Sequence, residues 1–374
     1  MDLIDLRKRL HSKPELSKKE FRTAERLKNI LKDFGVDHIH DDFKLPSFVA
    51  EISGKNDGPN TMFRCELDAL PINEKNDFDH KSVEEKISHK CGHDGHMAIM
   101  IGLAKKLIDN RPEKGNVYLL FQSAEETGHG AADVVKSKIL SKLNIDHVFA
   151  LHNVPGFKKG QIVLKSGMFT PHVESFTVKL IGKNSHAGEP DNAISPLPFI
   201  QEFSKLMNEM HLPDSKSKDY FVVSPVFISM GERSFGTTAG YGEIGYTIRT
   251  KSTGKFEEKR KIIQRRIEEI ANSKKLEFEV DWSDKFYSNF NDNELTDILK
   301  SASNNLNMDI FEKQEPFDWG EDFGLLTQVK RGVMFGLGAG KDSPPLHDNY
   351  YDFPDEIITN GVDVFFETVK LIHK

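Results

Sequence analysis

Short apolar runs of strand length alternate with stretches of helical periodicity through most of this 374-residue chain. That alternation restricts the fold more than any other feature. Strands separated by helices assemble into an α/β sheet with helices on its faces. Residues 47–52 and 61–67 read as strands, 98–108 as a helix, and 117–122 and 148–152 as further strands. Ahead of them the first thirty-five residues read as helical, with Leu27, Ile30, Leu31 and Phe34 spaced by three and four and Gly35 as the stop.

The middle of the chain has a different rhythm. Phe176, Val178 and Leu180 alternate with polar residues, a helix follows over 198–210, and 221–229 and 243–250 are of strand type. Phe256, Ile263, Ile267 and Ile270 form a helical stripe before a last strand at Phe278, Val280 and Trp282. The order β-α-β-β-α-β is the ferredoxin-like arrangement. After it, 294–306 reads as a helix and 332–337 as a strand of the first sheet. The expected architecture is therefore a central mixed sheet flanked by helices, built from 1–170 and 285–374, with an inserted ferredoxin-like α+β domain over 171–284. Chain length also favours two domains.

Several function classes are disfavoured. The net charge of −7 argues against general nucleic-acid binding. No apolar run approaches the roughly 20 residues that span a bilayer. The first residues, Met1 to Asp5, carry neither a basic nor an apolar leader segment, so no signal peptide is expected. Cys65 and Cys91 are the only two cysteines, so no disulfide framework is implied and a cytosolic location is favoured.

The chemistry gathers at predicted strand ends. His89, Cys91, His93, Asp94 and His96 fall within eight residues, between a strand and a helix. A thiolate and an imidazole separated by one glycine, Gly92, can face one point, and both are good ligands for zinc and its neighbours. Glu125 and Glu126 follow the strand over 117–122. Adjacent carboxylates at a strand end point different ways, so one can ligate a metal while the other acts as general base. His152 ends another apolar run, at the edge where open α/β sheets collect ligands. Asp68 closes Arg64-Cys65-Glu66-Leu67-Asp68, and could orient a ligand histidine. His347 lies in a proline-bounded loop and His186 just past the first strand of the inserted domain. Alone, each of these is a weak signal: Glu-Glu pairs are common on solvated helix starts, and single histidines are more often structural or surface residues. Their order along one sheet is harder to dismiss.

Together the segments resemble the aminoacylase and hippurate-hydrolase branch of the two-metal metallopeptidase superfamily, which includes auxin-conjugate amidohydrolases and N-acetyldiaminopimelate deacetylases. The resemblance runs from Leu10-His11-Ser12-Lys13-Pro14-Glu15-Leu16 to Gly320-Glu321-Asp322-Phe323 and Leu346-His347. It implies a catalytic domain holding two divalent ions per subunit (manganese, zinc, cobalt or nickel) and a smaller lid domain through which members often form homodimers. By motif match Cys91, His93, Glu126, His152 and His347 are the metal ligands, Glu125 the general base, Asp68 the orienting acid and His186 a lid residue that stabilises the oxyanion. The implied activity is cleavage of the amide of an N-acyl amino acid or similar small N-acyl compound. A dipeptidase using the same site is the alternative enzyme, and a catalytically inactive metal-binding protein the alternative outside enzymes. Two departures stand out. Glu66 occupies a position where members often have Asp, and the Asn-Val-Ile-Pro stretch of many members is replaced by residues 235–241, Phe235 to Tyr241. A differently shaped substrate pocket is expected.

Overall fold

The computed structural model describes residues 1–214 and 216–374. The chain divides into two compact units, Met1–Thr170 with Asn289–Phe317 and Glu321–Lys374, and Pro171–Ser288 with Asp318–Gly320.

The first unit opens with helices α1 (Leu3–His11) and α2 (Phe21–Phe34), then strands β1 (His38–His40), β2 (Phe48–Ser53) and β3 (Asn56–Glu66). The expected single helical stretch is thus two helices. The segment between them contains Pro14, whose ring and missing N–H oppose helix continuation. Gly35 ends α2 in the left-handed conformation, φ +83°. Helix α3 (His93–Asp109), β4 (Lys114–Gln122), the short helices α4 (Gly130–Lys136) and α5 (Ile139–Lys142), and strands β5 (His147–Pro155), β6 (Ile162–Leu164) and β7 (Gly167–Thr170) complete its first part.

The second unit is β8 (His172–Ile181), α6 (Leu197–Met210), β9 (Phe221–Met230), β10 (Tyr241–Thr250), α7 (Thr253–Ser273) and β11 (Glu277–Phe286). Its antiparallel sheet has the order β11-β8-β10-β9. Apolar residues of both helices, among them Phe199, Phe203, Ile263 and Ile267, are buried with Phe176, Val178, Ile244 and Ile248 from the sheet.

The chain then returns to the first unit through β12 (Asn289–Asn291), α8 (Asn293–Asn305), β13 (Ile310–Glu312), α9 (Phe323–Val329), β14 (Arg331–Gly340) and α10 (Ile358–Ile372). The main sheet has the order β1-β2-β4-β3-β5-β14-β6-β13. It is mixed: β4, β3, β5 and β14 are mutually parallel neighbours, whereas β1, β2 and β6 pair antiparallel. Four adjacent strands therefore end at one edge. Helix α3 is buried over nearly its whole length, which explains why it is apolar all round rather than on one stripe. It packs against α1 and α10.

Phe63 lies at the centre of this core, fully buried, with ring centroids 5.4 Å from Phe149 and 4.8 Å from Phe365. Phe63→Ala is expected to destabilise the protein by about 3–5 kcal/mol in urea unfolding, through lost transfer energy and the cavity left behind. A loss below about 1 kcal/mol would contradict this placement of the core.

Candidate metal centre

The candidate residues leave the sheet where the parallel strands end. Asp68 follows β3, Glu125 and Glu126 follow β4, His152 lies in the last part of β5, and the loop after β14 carries His347. Cys91 and His93 reach the same place from the start of α3. Gly92 caps that helix with φ +89°, and a Cβ on it would lie 2.6 Å from the Asn153 side-chain oxygen. Both the left-handed turn and the close approach require glycine.

The structure brings six of these side chains together. Ligand atoms of Cys91, His93 and His152 lie within 4.8 Å of one another, and so do those of Cys91, Glu126 and His347 and of His93, Glu125 and Glu126. Cys91 Sγ is 3.5 Å from His152 Nε2, and His347 Nε2 is 3.6 Å from a Glu126 carboxylate oxygen. Each buried histidine is held by its other nitrogen. Nδ1 of His93 lies 2.9 Å from the Asp68 carbonyl oxygen and 3.5 Å from its carboxylate, and Nδ1 of His152 lies 2.9 Å from the Asn153 carbonyl. Donation from Nδ1 in each ring leaves Nε2 as the lone-pair nitrogen, the tautomer a metal needs. Asp68 also accepts from the Ser17 hydroxyl at 2.6 Å and the Glu126 N–H at 3.0 Å. His347 has a left-handed backbone, φ +68°, and its N–H donates to the Lys90 carbonyl at 2.8 Å. The Tyr351 hydroxyl accepts from Asn153 Nδ2 at 2.5 Å, joining the His347 loop to the strand of His152.

Of the neighbouring histidines, His96 is engaged through both nitrogens and His89 through neither. His96 lies 2.6 Å from a Glu66 carboxylate oxygen through Nδ1 and accepts the Asn153 N–H at 3.2 Å through Nε2. His89 is buried, and neither ring nitrogen has a hydrogen-bond partner among the described residues. His186 belongs to the second unit, where it is exposed and its Nδ1 accepts the Gly188 N–H at 3.1 Å.

Electrostatics show what the cluster lacks. Burial, with Glu321 and Glu126 close by, pushes the Glu125 carboxyl well above the ordinary carboxylate range. Burial, with Glu126 and Glu125 close by, pushes the Cys91 thiol up as well. Burial opposes a charge on His93, yet Asp68, Glu66 and Glu126 raise its pKa to about 10. Burial, together with His96, keeps His152 neutral well below the usual imidazole range. A dry pocket crowded with acids favours added positive charge. His93 Nε2, Asp68 Oδ1 and Glu126 Oε1 are buried without a hydrogen-bond partner among the described residues. Thiolate, imidazole and carboxylate donors with unpartnered atoms aimed into a negative pocket fit a pair of divalent transition metals.

Beneath the cluster lies Arg64, 1% exposed. Its guanidinium contacts Glu66 and donates to Gln122 at 3.1 Å, Glu321 at 3.0 Å and Asp322 at 2.7 Å. Sequence reasoning gave no role to Arg64, to Ser17 or to Glu20, a buried carboxylate that contacts the turn before Glu125. Arg64 carries one faint signal, a cation inside an otherwise apolar strand run.

The protein-family model for peptidase family M20/M25/M40 matches residues 62–371. The chain is 33% identical over 375 residues to the N-acetyl-L-cysteine deacetylase of Bacillus subtilis, covering 98% of this chain and 87% of that protein. It is 30% identical over 379 residues to the N-acetyldiaminopimelate deacetylase of Ligilactobacillus salivarius, covering 99% and 96%. Among solved structures, the Bacillus subtilis YXEP protein, a dinuclear metal-binding peptidase, superposes with a TM-score of 0.83 at 27% identity, covering 99% of this chain and 97% of that one.

Gly92 provides a direct check on the centre. Gly92→Ala should weaken metal binding by about 10–100-fold, because it shifts Cys91 and His93 together. Chelator competition with metal analysis measures this, and wild-type affinity would remove the glycine from the site's construction.

Proposed function

The chain belongs to peptidase family M20/M25/M40, and we propose that it is a two-metal amidohydrolase cleaving the amide of an N-acyl amino acid or similar small N-acyl compound. The observation that carries this reading is the pairing of Glu125 with the donor set of Cys91, His93, Glu126, His152 and His347 in one pocket. Deacetylase relatives, at 33% and 30% identity over nearly the whole chain, support an N-acyl substrate.

Cys91, His93, Glu126, His152 and His347 would hold the two ions. The thiolate favours manganese, cobalt, nickel or zinc over magnesium. When bound, such a pair supplies the positive charge that acidifies a water and polarises an amide carbonyl. The remaining work falls to the chain. Glu125 accepts the proton of the attacking water and passes it to the leaving nitrogen, which departs as an amine rather than as an amide anion. Its burial raises its pKa above the ordinary carboxylate range, which strengthens it as a base toward the water. Asp68 holds His93 and the Glu126 backbone in place. His186 donates a hydrogen bond to the developing oxyanion. Residues 171–284 act as the lid domain. Two cysteines, both free and buried, suit a cytosolic protein.

The second unit also offers a pairing surface. β9 is the edge strand of its sheet, and Val226, Phe227, Ile228 and Met230 on it are 62%, 41%, 56% and 38% exposed. An open edge with apolar side chains favours pairing with a second copy of the chain. We therefore assign a homodimer through this edge.

Glu125→Gln should lower kcat by about 10²–10⁴-fold with metal content intact. Retention of more than about a tenth of wild-type activity would remove Glu125 from the chemistry. A panel of N-acetyl and N-benzoyl amino acids, with dipeptides alongside, tests the substrate class. Turnover of dipeptides alone would replace it with a dipeptidase. Ile228→Lys is expected to convert dimer to monomer in sedimentation analysis, and an unchanged dimer would place the interface elsewhere.

A further inference from the structure

Glu20 immediately precedes α2 and is fully buried, yet its carboxylate has no ion pair among the described residues. Desolvating a carboxylate without a cation is costly, so the contacts it makes carry weight. They go to one place. Oε2 accepts from the Ser123 hydroxyl at 2.6 Å, and Oε1 accepts the Ala124 N–H at 2.8 Å.

Ala124 is itself unusual. It is fully buried and has φ +57°, the left-handed region. An alanine resists that conformation by roughly tenfold relative to glycine. The next two residues are Glu125 and Glu126. The carbonyl of Ala124 accepts the N–H groups of His129 at 3.2 Å and Gly130 at 3.0 Å, and the Ser123 N–H donates to the Ser47 hydroxyl at 3.0 Å. These bonds close the turn, but among the described residues only Glu20 holds the Ala124 N–H, and its acceptor is a carboxylate oxygen. Ser17, three residues before Glu20, reaches Asp68, which in turn accepts the Glu126 N–H. One short segment ahead of α2 thus grips the chain on both sides of Glu125.

We propose that Glu20 is a positioning residue for Glu125 and Glu126: it holds Ala124 left-handed, and so sets the directions in which the two adjacent carboxylates point. This rests on the reading of Glu125 as base and Glu126 as ligand. Glu20 touches neither substrate nor metal ligand side chain. It acts through the backbone of the turn.

The test uses the full chain as Glu20→Ala, Ala124→Gly and the double variant. In metal-free protein, amide exchange of the peptide covering 119–128 is followed by mass spectrometry, with the peptide over β5 as reference. In metal-loaded protein, kcat, KM and metal per chain are measured. Glu20→Ala should speed exchange at 123–126 by about tenfold or more and leave β5 unchanged. At saturating metal it should lower kcat by about 10–100-fold with KM little changed, as expected for a misplaced catalytic group, and it should weaken metal retention because Glu126 follows the same turn. Ala124→Gly in the Glu20→Ala background should recover kcat by at least about threefold, because glycine needs no help to stay left-handed. A merely structural role for Glu20 predicts no such recovery. Unchanged exchange at 123–126, or a loss of kcat that glycine does not relieve, overturns the proposal. If Glu20→Ala does not fold, Glu20→Gln replaces it. Gln keeps one acceptor and sets an N–H against the other donor, so it should give intermediate losses in both exchange and kcat, and wild-type behaviour in both overturns the proposal. Glu125→Gln run alongside separates the two claims. Activity in that variant sinks the base assignment, while the exchange result still decides what Glu20 holds.

Discussion

The buried guanidinium of Arg64 is the contact on which the site's construction depends. It stands on β3, yet it bonds Gln122 at the end of β4, Glu66 two residues further along its own strand, and Glu321 and Asp322 just ahead of α9. Gln122 and the Ala131 N–H meet Asp322 in turn. An ion pair so far from water adds little net stability, because desolvation offsets attraction, whereas removing one partner leaves an uncompensated charge and costs about 3–5 kcal/mol. Such a knot therefore favours one arrangement of the strand ends over others. Burial disfavours the Glu66 charge, but Arg64 and His96 hold its carboxyl well below the ordinary range, and the ionised Glu66 in turn helps to raise the pKa of His93.

Strands β2, β3, β4, β5 and β14 were legible because each is a run of apolar residues long enough to be recognised without its partners. The inserted unit was legible for the same reason, since alternation in β8 and the stripe of α7 are local patterns. What escaped notice lacks a local pattern. β6 and β13 are three residues each and are strands only through their partners, β6 between β14 and β13 and β13 against β6. Helix α10 was missed although it is well formed, and its sequence shows why. Asn360 and Gly361, both poor helix formers, stand in its first turns. In the fold Gly361 is a packing residue: a Cβ there would lie 2.6 Å from Ile99 of α3. The glycine that weakens the helix in isolation lets it approach the central helix.

The same distinction runs through the site. Cys91, His93 and the Glu125-Glu126 pair stand out because unusual residue types are crowded together. His347 and Asp68 needed the whole set for their meaning, since neither has local context that marks it. Glu20 had no chance of being read. In Ser17-Lys18-Lys19-Glu20 it looks like one more charge at a solvated helix start, and only the return of β4 to its side makes it a buried acceptor. Residues that hold others in place are chosen by tertiary contact, and tertiary contact leaves little trace in neighbouring sequence.

Glu66 shows how a small change in side-chain length fits this scheme. Its two oxygens divide the work, one meeting Arg64 and the other His96 Nδ1 at 2.6 Å. His96 is one helical turn from His93, on the face that looks toward the centre, and by residue type alone it would serve as a ligand. Both of its nitrogens are hydrogen-bonded, one to Glu66 and the other to the Asn153 N–H. That second bond fixes the backbone next to His152. An aspartate at 66 would be one methylene shorter, and with Arg64 tied to three other partners the reach to His96 would have to come from movement of the histidine. The longer acid thus joins the buried arginine to the histidine behind the ligands, and through Asn153 to His152, so that the charge beneath the pocket and the geometry inside it are set by one connected group of side chains.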